Sequence, residues 1–296
     1  MATSPLRIAV GVATASRGEL VKQTIGLLRN QTRIPDLLLA CPLVSDKVSD
    51  RDFPNLPFPI VVATGPCGLC AQRNDILARA ADCDVVVFFD DDFLPERHYL
   101  EQLEQIFQSE KDVVGVTGKV LADGVTGPGL SLEQGLKILQ KENWDRRGGS
   151  RPVYGLYGCN MAFRMDCVRD NQLRFDENLP LYGWQEDMDF AHQVAQCGRL
   201  VQNDLLRGVH LGVKAGRSVG VRLGYSQIAN PVYLTKKGTM SWRHARWLMS
   251  RNIAANLARS VIPEPWVDRR GRLKGNVLAL LDVLRGKASP ARILQL

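Results

Sequence analysis

Over its first 120 positions the chain alternates short uninterrupted apolar runs with stripes of apolar residues spaced three and four apart. Ile8 to Thr14 is the first run and reads as a strand; the TASRG at its end opens a helix over about Glu19 to Asn30, with Val21, Ile25 and Leu28 on one face. Leu37 to Cys41 and Ile60 to Ala63 predict a second and a third strand, separated by a loop holding Pro42, Pro54, Pro57 and Pro59. A helix over about Leu69 to Ala81 leads into Val85 to Phe89, whose β-branched and aromatic run VVVFF reads as a strand buried on both faces. Leu100, Leu103 and Phe107 mark another helix, and Val113 to Val120 another strand. This rhythm predicts right-handed βαβ units in an α/β fold with a mostly parallel, doubly wound sheet.

After Val120 the alternation fades into a Gly-rich mixed region, with GVTGPG at 124 to 129 and RRGGSRP at 146 to 152. From Ser241 the character changes: Trp242, Ala245, Met249, Ile253 and Leu257 recur at spacings of three and four, with Arg243, Arg246, Arg251 and Arg259 between them. That is a basic amphipathic helix, ended by Pro263 and Pro265, and GNVLALLDVLRGK supplies a second, shorter one.

Charge sharpens this division. Residues 241 to 296 hold eleven Lys/Arg against three Asp/Glu, a net of +8, while residues 1 to 240 hold 27 against 28, so the whole net charge of +7 comes from the tail. Such a segment points to an anionic partner surface, or to a helix packed on the rest of the chain with a solvated Arg face. Nucleic acid fits less well, because the aromatic residues form no stacking platform within a recognisable module. No run reaches the eighteen or so apolar residues of a membrane-spanning helix. Arg7 followed by IAVGVATAS has the outline of a short signal peptide, but the helix-like pattern behind it favours a strand. Seven scattered cysteines in a chain of 296 residues predict free thiols in a reducing, cytoplasmic setting. Cys67 and Cys70 form a lone CxxC without a second pair at zinc-site spacing and read as incidental.

The candidate chemistry starts where VVVFF ends. Asp90, Asp91 and Asp92 emerge at the carboxyl end of that strand, the edge where open α/β sheets bind ligands. Clustered carboxylates repel one another unless a cation sits between them, and hard oxygen ligands suit Mg²⁺ or Mn²⁺ shared with a phosphorylated ligand. The competing reading is a solvated acidic turn. A second acidic pair, Glu186 and Asp187, precedes a helix with Met188, Ala191, Val194 and Ala195 on its apolar face. Carboxylates there also suit the helix dipole alone. Gly183 and Trp184 stand just before the pair, GCNMAFR lies upstream at 158 to 164, and His210 ends a short apolar run downstream, where it is either structural or a further metal ligand.

Along residues 7 to 215 these elements together resemble the family 2 glycosyltransferases of the GT-A fold. The matching stretches are VATASRGELVKQTIGLLRNQT at 12 to 32, QRNDILARA at 72 to 80, FFDDDF at 88 to 93, GCNMAFR, FDENLPLYGWQEDMDF at 175 to 190, and His210, in the family's order. The tail, with GRLKGNVLALLDVLRG, looks like that of bacterial exopolysaccharide or capsule members. The resemblance implies a GT-A catalytic domain over 1–240, nucleotide-binding to about residue 120 and acceptor-binding beyond it, followed by the helical tail.

The implied activity is inverting, metal-dependent sugar transfer from a nucleotide-sugar, with uracil as the expected base, to a hydroxyl of a lipid-linked glycan acceptor at the inner membrane surface. Carried over residue by residue, Thr14, Arg17, Arg73 and Asn74 contact the nucleotide, with Asp90 and Asp91 beside them. Asp92 and Asp90 with His210 form the metal site. Asp187 is the catalytic base, with Glu186 its neighbour. Gly158, Cys159, Asn160 and Trp184 shape the sugar and acceptor pocket. Lys214, Arg217 and Arg222 are a candidate diphosphate loop. The chain departs from the family at Ala15, where many members have Tyr, and at CPLVSD (41 to 46), where many have Asp-Asp-Gly-Ser, leaving Asp46 as the stand-in for a base contact. The alternatives are a nucleotidyltransferase, which wants a Gly-rich first turn, a haloacid-dehalogenase-type phosphatase, and a non-catalytic nucleotide-sugar-binding module at the membrane.

Overall fold

The computed structural model describes residues 4–46, 48–65, 67–142, 148–214 and 219–296. The chain divides into two compact units, one of 1–67, 71–174 and 194–216, the other of 68–70, 175–193 and 217–296.

The first unit carries the sheet. Its opening strands are β1 (Ile8–Ala13), β2 (Leu37–Cys41), β3 (Ile60–Val62) and β4 (Val85–Phe89), with helices α1 (Gly18–Leu27) and α2 (Leu69–Arg79) falling between them in the chain. They pair in the order β3, β2, β1, β4, all parallel. Each of the five residues of β4 is buried, as a strand covered on both faces requires. β5 (Phe93–Pro95), α3 (Tyr99–Ser109), β6 (Val113–Asp123), α4 (Leu132–Lys141), β7 (Ser150–Pro152), β8 (Asn160–Arg164), α5 (Met165–Asp170) and β9 (Arg199–His210) complete this unit. Beyond β4 the sheet becomes mixed: β8 runs antiparallel to both β4 and β6, β6 and β9 are parallel, and β5 and β7 lie antiparallel to β9. The core is built from Ile8, Val10, Val85, Val87, Phe89, Tyr99 and Phe107, each almost wholly buried. The expected α/β class, a mostly parallel sheet flanked by helices, is the observed one.

Local patterning placed β1, β2, β3, α2 and β4 within two residues, whereas β5, α4, β7, β8, α5 and β9 had no predicted counterpart. The difference at β6 matters more, because the strand continues past Val120 to Asp123, where Lys119 to Asp123 pair with the end of β9. Its last residues are half-exposed and lack the apolar run that announces a strand. The cysteine expectation also needs correction. Cys167 on α5 and Cys197 are joined in a disulfide thirty residues apart in sequence, so the cysteine count no longer argues for a reducing setting.

The second unit contains α6 (Glu186–Val194) except its last residue, and α7 (Gly220–Lys237), α8 (Trp242–Arg259) and α9 (Arg269–Leu284). The last helix starts six residues before the expected stretch, because Asp268 caps it by accepting the Gly271 amide at 2.7 Å. α7 and α9 approach closely at Gly224 and Gly275, each the second glycine of a Gly-x-x-x-Gly pair. A Cβ at Gly224 would run into the Arg272 backbone, and one at Gly275 into the Val221 carbonyl. Between the helices Gln227, Asn256 and Asn276 form a closed polar cluster. Asn256 donates to Gln227 (2.8 Å) and Asn276 (2.9 Å), Asn276 donates to the Gly224 carbonyl (2.7 Å), and Arg269 donates to Asn256 (3.2 Å).

Candidate active site

The turn after β4 carries the three aspartates, and their surroundings separate them. Asp92 and Asp91 are buried, whereas the Asp90 side chain is about one-third exposed at 32%. β5 pairs with β9 in a register that sets Phe93 opposite His210, which brings the imidazole to the carboxylates. His210 Nε2 lies 3.2 Å from Asp92 Oδ1 and 3.9 Å from Asp90 Oδ2. Ligand atoms of Asp90, Asp92 and His210 all fall within 4.8 Å of one another.

The other face of the imidazole is also held. Its Nδ1 is 3.1 Å from Asp123 Oδ1, while the Tyr157 hydroxyl donates to Asp123 Oδ2 at 2.9 Å and sits 3.3 Å from Nδ1. The β6 extension supplies Asp123 directly opposite His210. Gly124 and Gly212 permit this approach: a Cβ on Gly124 would meet the Leu211 carbonyl, and Gly212, at φ +64°, packs on the Gly124 and Val125 backbone. Neither Asp123 nor Tyr157 is flagged by any motif. Strand pairing brings Asp123 to the histidine, and the loop before β8 brings Tyr157.

This arrangement suits a cation. Asp92 Oδ1 is buried, and with His210 neutral it finds no hydrogen-bond donor, an expensive condition for a carboxylate oxygen. When neutral His210 donates Nδ1–H to Asp123, its Nε2 lone pair faces that oxygen, so two acceptors meet and a proton or metal must lie between them. Burial opposes the imidazolium, but the hydrogen bonds to Asp123 and Asp92, with the charges of Asp90 and Asp92, outweigh it and raise the His210 pKa to about 10. Asp92 responds in the opposite sense. Burial works against its ionised form, yet the His210 hydrogen bond and charge, Arg17 and the Val213 amide hold its pKa below the ordinary value.

The predicted nucleotide residues cluster around the same turn. Thr14 donates to Asp91 at 2.6 Å, and Arg17 donates to Asp91 at 2.7 Å and to the Val213 carbonyl at 2.9 Å, while lying 3.3 Å from Asp92 Oδ2. Asp91 is thus the anchor of the β1 turn; burial lifts its pKa to about 6 against the pull of Arg17. Arg73, buried on α2 beside buried Asn74, reaches Asp90 at 3.3 Å and the Gly158 carbonyl at 3.1 Å. The Cys159 carbonyl accepts the Asp90 amide at 3.1 Å, and its side chain belongs to the core. Asn160 is fully buried and accepts from the Thr117 hydroxyl at 2.5 Å. Asp46 accepts the Ser16 amide at 2.7 Å and the Leu43 amide at 3.1 Å, so it braces the turn. Lys214 donates to the Gly124 (2.9 Å) and Val125 (3.0 Å) carbonyls. Arg217 lies outside the described residues.

The second unit holds Trp184, Glu186, Asp187 and Arg222. The loop before α6 has three left-handed residues, Leu181 (φ 59°), Gly183 (φ 61°) and Gln185 (φ 76°). Two of the three carry side chains that disfavour this conformation, the kind of stored strain that marks functional loops. The Trp184 carbonyl accepts from Asn230 at 2.8 Å. Glu186 is buried and Asp187 half-buried at the first turn of α6. One turn of α6 is fixed further on by fully buried Asp189, which receives Lys237 at 2.7 Å and Thr239 at 2.5 Å. Arg222 donates to the Leu296 carbonyl at 2.8 Å, at the end of the chain.

The chain matches no protein-family profile and no curated protein sequence. Solved structures do resemble it. S. aureus TarS 1-349 in complex with UDP-GlcNAc superposes with a TM-score of 0.59 at 14% identity, over 97% of this chain and 83% of that one. The mannosyltransferase PcManGT from Pyrobaculum calidifontis, in complex with GDP-Man and Mn²⁺, gives 0.54 at 17% identity, over 99% and 86%. GalNAc-T7 with UDP, GalNAc and Mn²⁺ gives 0.57 at 14% identity, over 99% of this chain and 57% of that one. Against a longer TarS structure, the chain spans only 40% of the relative's length. The protein therefore has the fold of these glycosyltransferases.

Proposed function

We propose that this protein is an inverting, metal-dependent glycosyltransferase that moves a sugar from a UDP-sugar to a hydroxyl of a lipid-linked glycan in polysaccharide biosynthesis. The observation that carries the reading is the cluster of Asp90, buried Asp92 and His210, with ligand atoms within 4.8 Å of one another, on a fold shared with nucleotide-sugar enzymes. Asp90, Asp92 and His210 would hold Mn²⁺ or Mg²⁺, which when bound neutralises charge developing on a departing diphosphate. Arg73 and Arg17 hold Asp90 and Asp91 in place around the nucleotide. Asp187 takes the proton from the acceptor hydroxyl as its oxygen attacks the anomeric carbon, and one base with direct displacement predicts inversion. Glu186, buried beside it, is the competing base; Asp187→Asn retaining full transfer would select Glu186. The basic tail places the enzyme at an anionic inner membrane surface near its acceptor. Trp184, Gly158, Cys159 and Asn160 are assigned to the acceptor side, and Lys214, Arg217 and Arg222 to the diphosphate.

The test is calorimetric titration with UDP, GDP, dTDP and CDP, each with Mn²⁺ and with EDTA. Binding of UDP that requires Mn²⁺ is expected. Binding of none of the four would leave only the fold. Metal-dependent binding of a different nucleotide would keep the reaction class and reassign the donor.

A further inference from the structure

The last two helices, α8 and α9, each bury an asparagine while leaving large apolar side chains exposed. Of eighteen large hydrophobic side chains exposed among the described residues, eleven lie between Trp242 and Leu294. On α9 the exposed ones form a stripe: Val277 (50% exposed), Leu280 (40%), Leu281 (40%) and Leu284 (84%), on successive turns. Gly275, Asn276 and Ala279 occupy the buried side of the same helix, so this stripe is the face turned away from the packing of the unit. Exposed Arg270 and Lys274 stand at one end of it and exposed Arg285 and Lys287 at the other. A groove of about 420 Å³ lined by Ser260, Arg270, Leu273, Lys274, Val277 and Leu278 adjoins the basic end.

The charges around the stripe are of one sign because the acids of this region are used internally. Glu264 is bound by Arg259 (2.6 Å) and Arg269 (2.8 Å), Asp268 caps α9, and Asp282 accepts from Tyr225 (2.8 Å). Arg270, Lys274, Arg285 and Lys287 are in no ion pair among the described residues. An uncovered apolar stripe between unpaired cations matches an anionic bilayer, whose acyl boundary takes the leucines while its headgroups take the cations. A second copy of the chain is the poorer partner, since two such faces would bring like charges together.

We propose that α9 is the membrane-docking element, lying in the interface of an anionic bilayer with Val277, Leu280, Leu281 and Leu284 inserted. This rests on the membrane part of the proposed function and sharpens it. On α8, Trp247 is less suited, because Arg251 already lies 5.3 Å over its ring and His244 packs 5.7 Å from it.

The experiment is flotation of the full-length protein with phosphatidylcholine vesicles and with equimolar phosphatidylcholine and phosphatidylglycerol, alongside the titration with UDP and Mn²⁺. The wild type should float with the anionic vesicles only. Leu281→Glu with Leu284→Glu should lower the partition at least about tenfold, the worth of one buried leucine. Arg270→Glu with Lys274→Glu should do so by a similar factor, and Trp242→Ala with Trp247→Ala should change it little. All these positions are exposed, so circular dichroism should report an unchanged fold. Equal flotation of wild type and the leucine variant overturns the assignment, as does no flotation of the wild type. A wild-type dimer that the leucine variant converts to monomer in light scattering reassigns the face to self-association. Loss of UDP binding in the wild type refutes the donor site without touching the docking result.

Discussion

The protein contains two buried polar clusters that differ in one respect. Around Gln227, Asn256 and Asn276 each side-chain donor and acceptor has a protein partner. Around Asp90, Asp92 and His210 one carboxylate oxygen, Asp92 Oδ1, has a partner only while the imidazole is protonated on Nε2. A closed network rigidifies the packing it sits in, while an open one loses free energy until something occupies it. The first therefore reads as part of the helical scaffold, and the second as a place for a ligand.

The sharpest way to break this contrast is to remove the charge of Asp92. Asp92→Asn deletes one ligand charge, worth about 4 kcal/mol at contact in a protein-like dielectric, and should weaken Mn²⁺-dependent UDP binding about a thousandfold in calorimetry. Unchanged metal dependence would end the comparison. On the closed side, Gly224→Val forces side-chain atoms into the Arg272 backbone and should cost about 3 kcal/mol in chemical denaturation, with Mn²⁺ and UDP still bound by the folded fraction. A silent Gly224→Val would mean that α7 and α9 separate freely.

Smaller effects test what orients the histidine. Asp123→Ala removes the acceptor of His210 Nδ1 and should lower Mn²⁺ affinity about 10- to 100-fold, with the fold unchanged in circular dichroism. Asp123→Asn, which keeps an accepting oxygen, should restore part of that loss. The mildest probe is pH. His210 has a raised pKa of about 10, so its stabilisation of the metal-free protein is complete below the ordinary histidine value and is lost as pH rises towards 10. Metal binding must displace that proton, so Mn²⁺ affinity should rise by about one power of ten per pH unit below that value. A flat profile would show that His210 is not a ligand.

Much of this was readable in advance, and the boundary is instructive. The VVVFF strand, the aspartates at its carboxyl end and the helix after Gln185 follow from local pattern, because burial on two faces and helical spacing leave periodic marks within a dozen residues. Asp123 and Tyr157 left no such mark. Asp123 meets His210 through strand pairing 87 residues apart in sequence, on a half-exposed β6 extension, and Tyr157 meets it from the loop before β8, 53 residues away. The disulfide between Cys167 and Cys197 and the glycine contacts between α7 and α9 escaped for the same reason.

By itself, then, the sequence determined the alternating α/β architecture, the carboxylate-rich strand end and the concentration of positive charge after residue 240, since each depends on neighbours along the chain. Tertiary structure alone decided that Asp91, of three adjacent aspartates, binds Arg17 and Thr14, and that Asp123 backs His210. It also decided that the acids of the tail are consumed internally while the leucines of α9 are left outside. Those outcomes depend on which groups meet in space and on whether each buried charge finds a partner, and no local period encodes either.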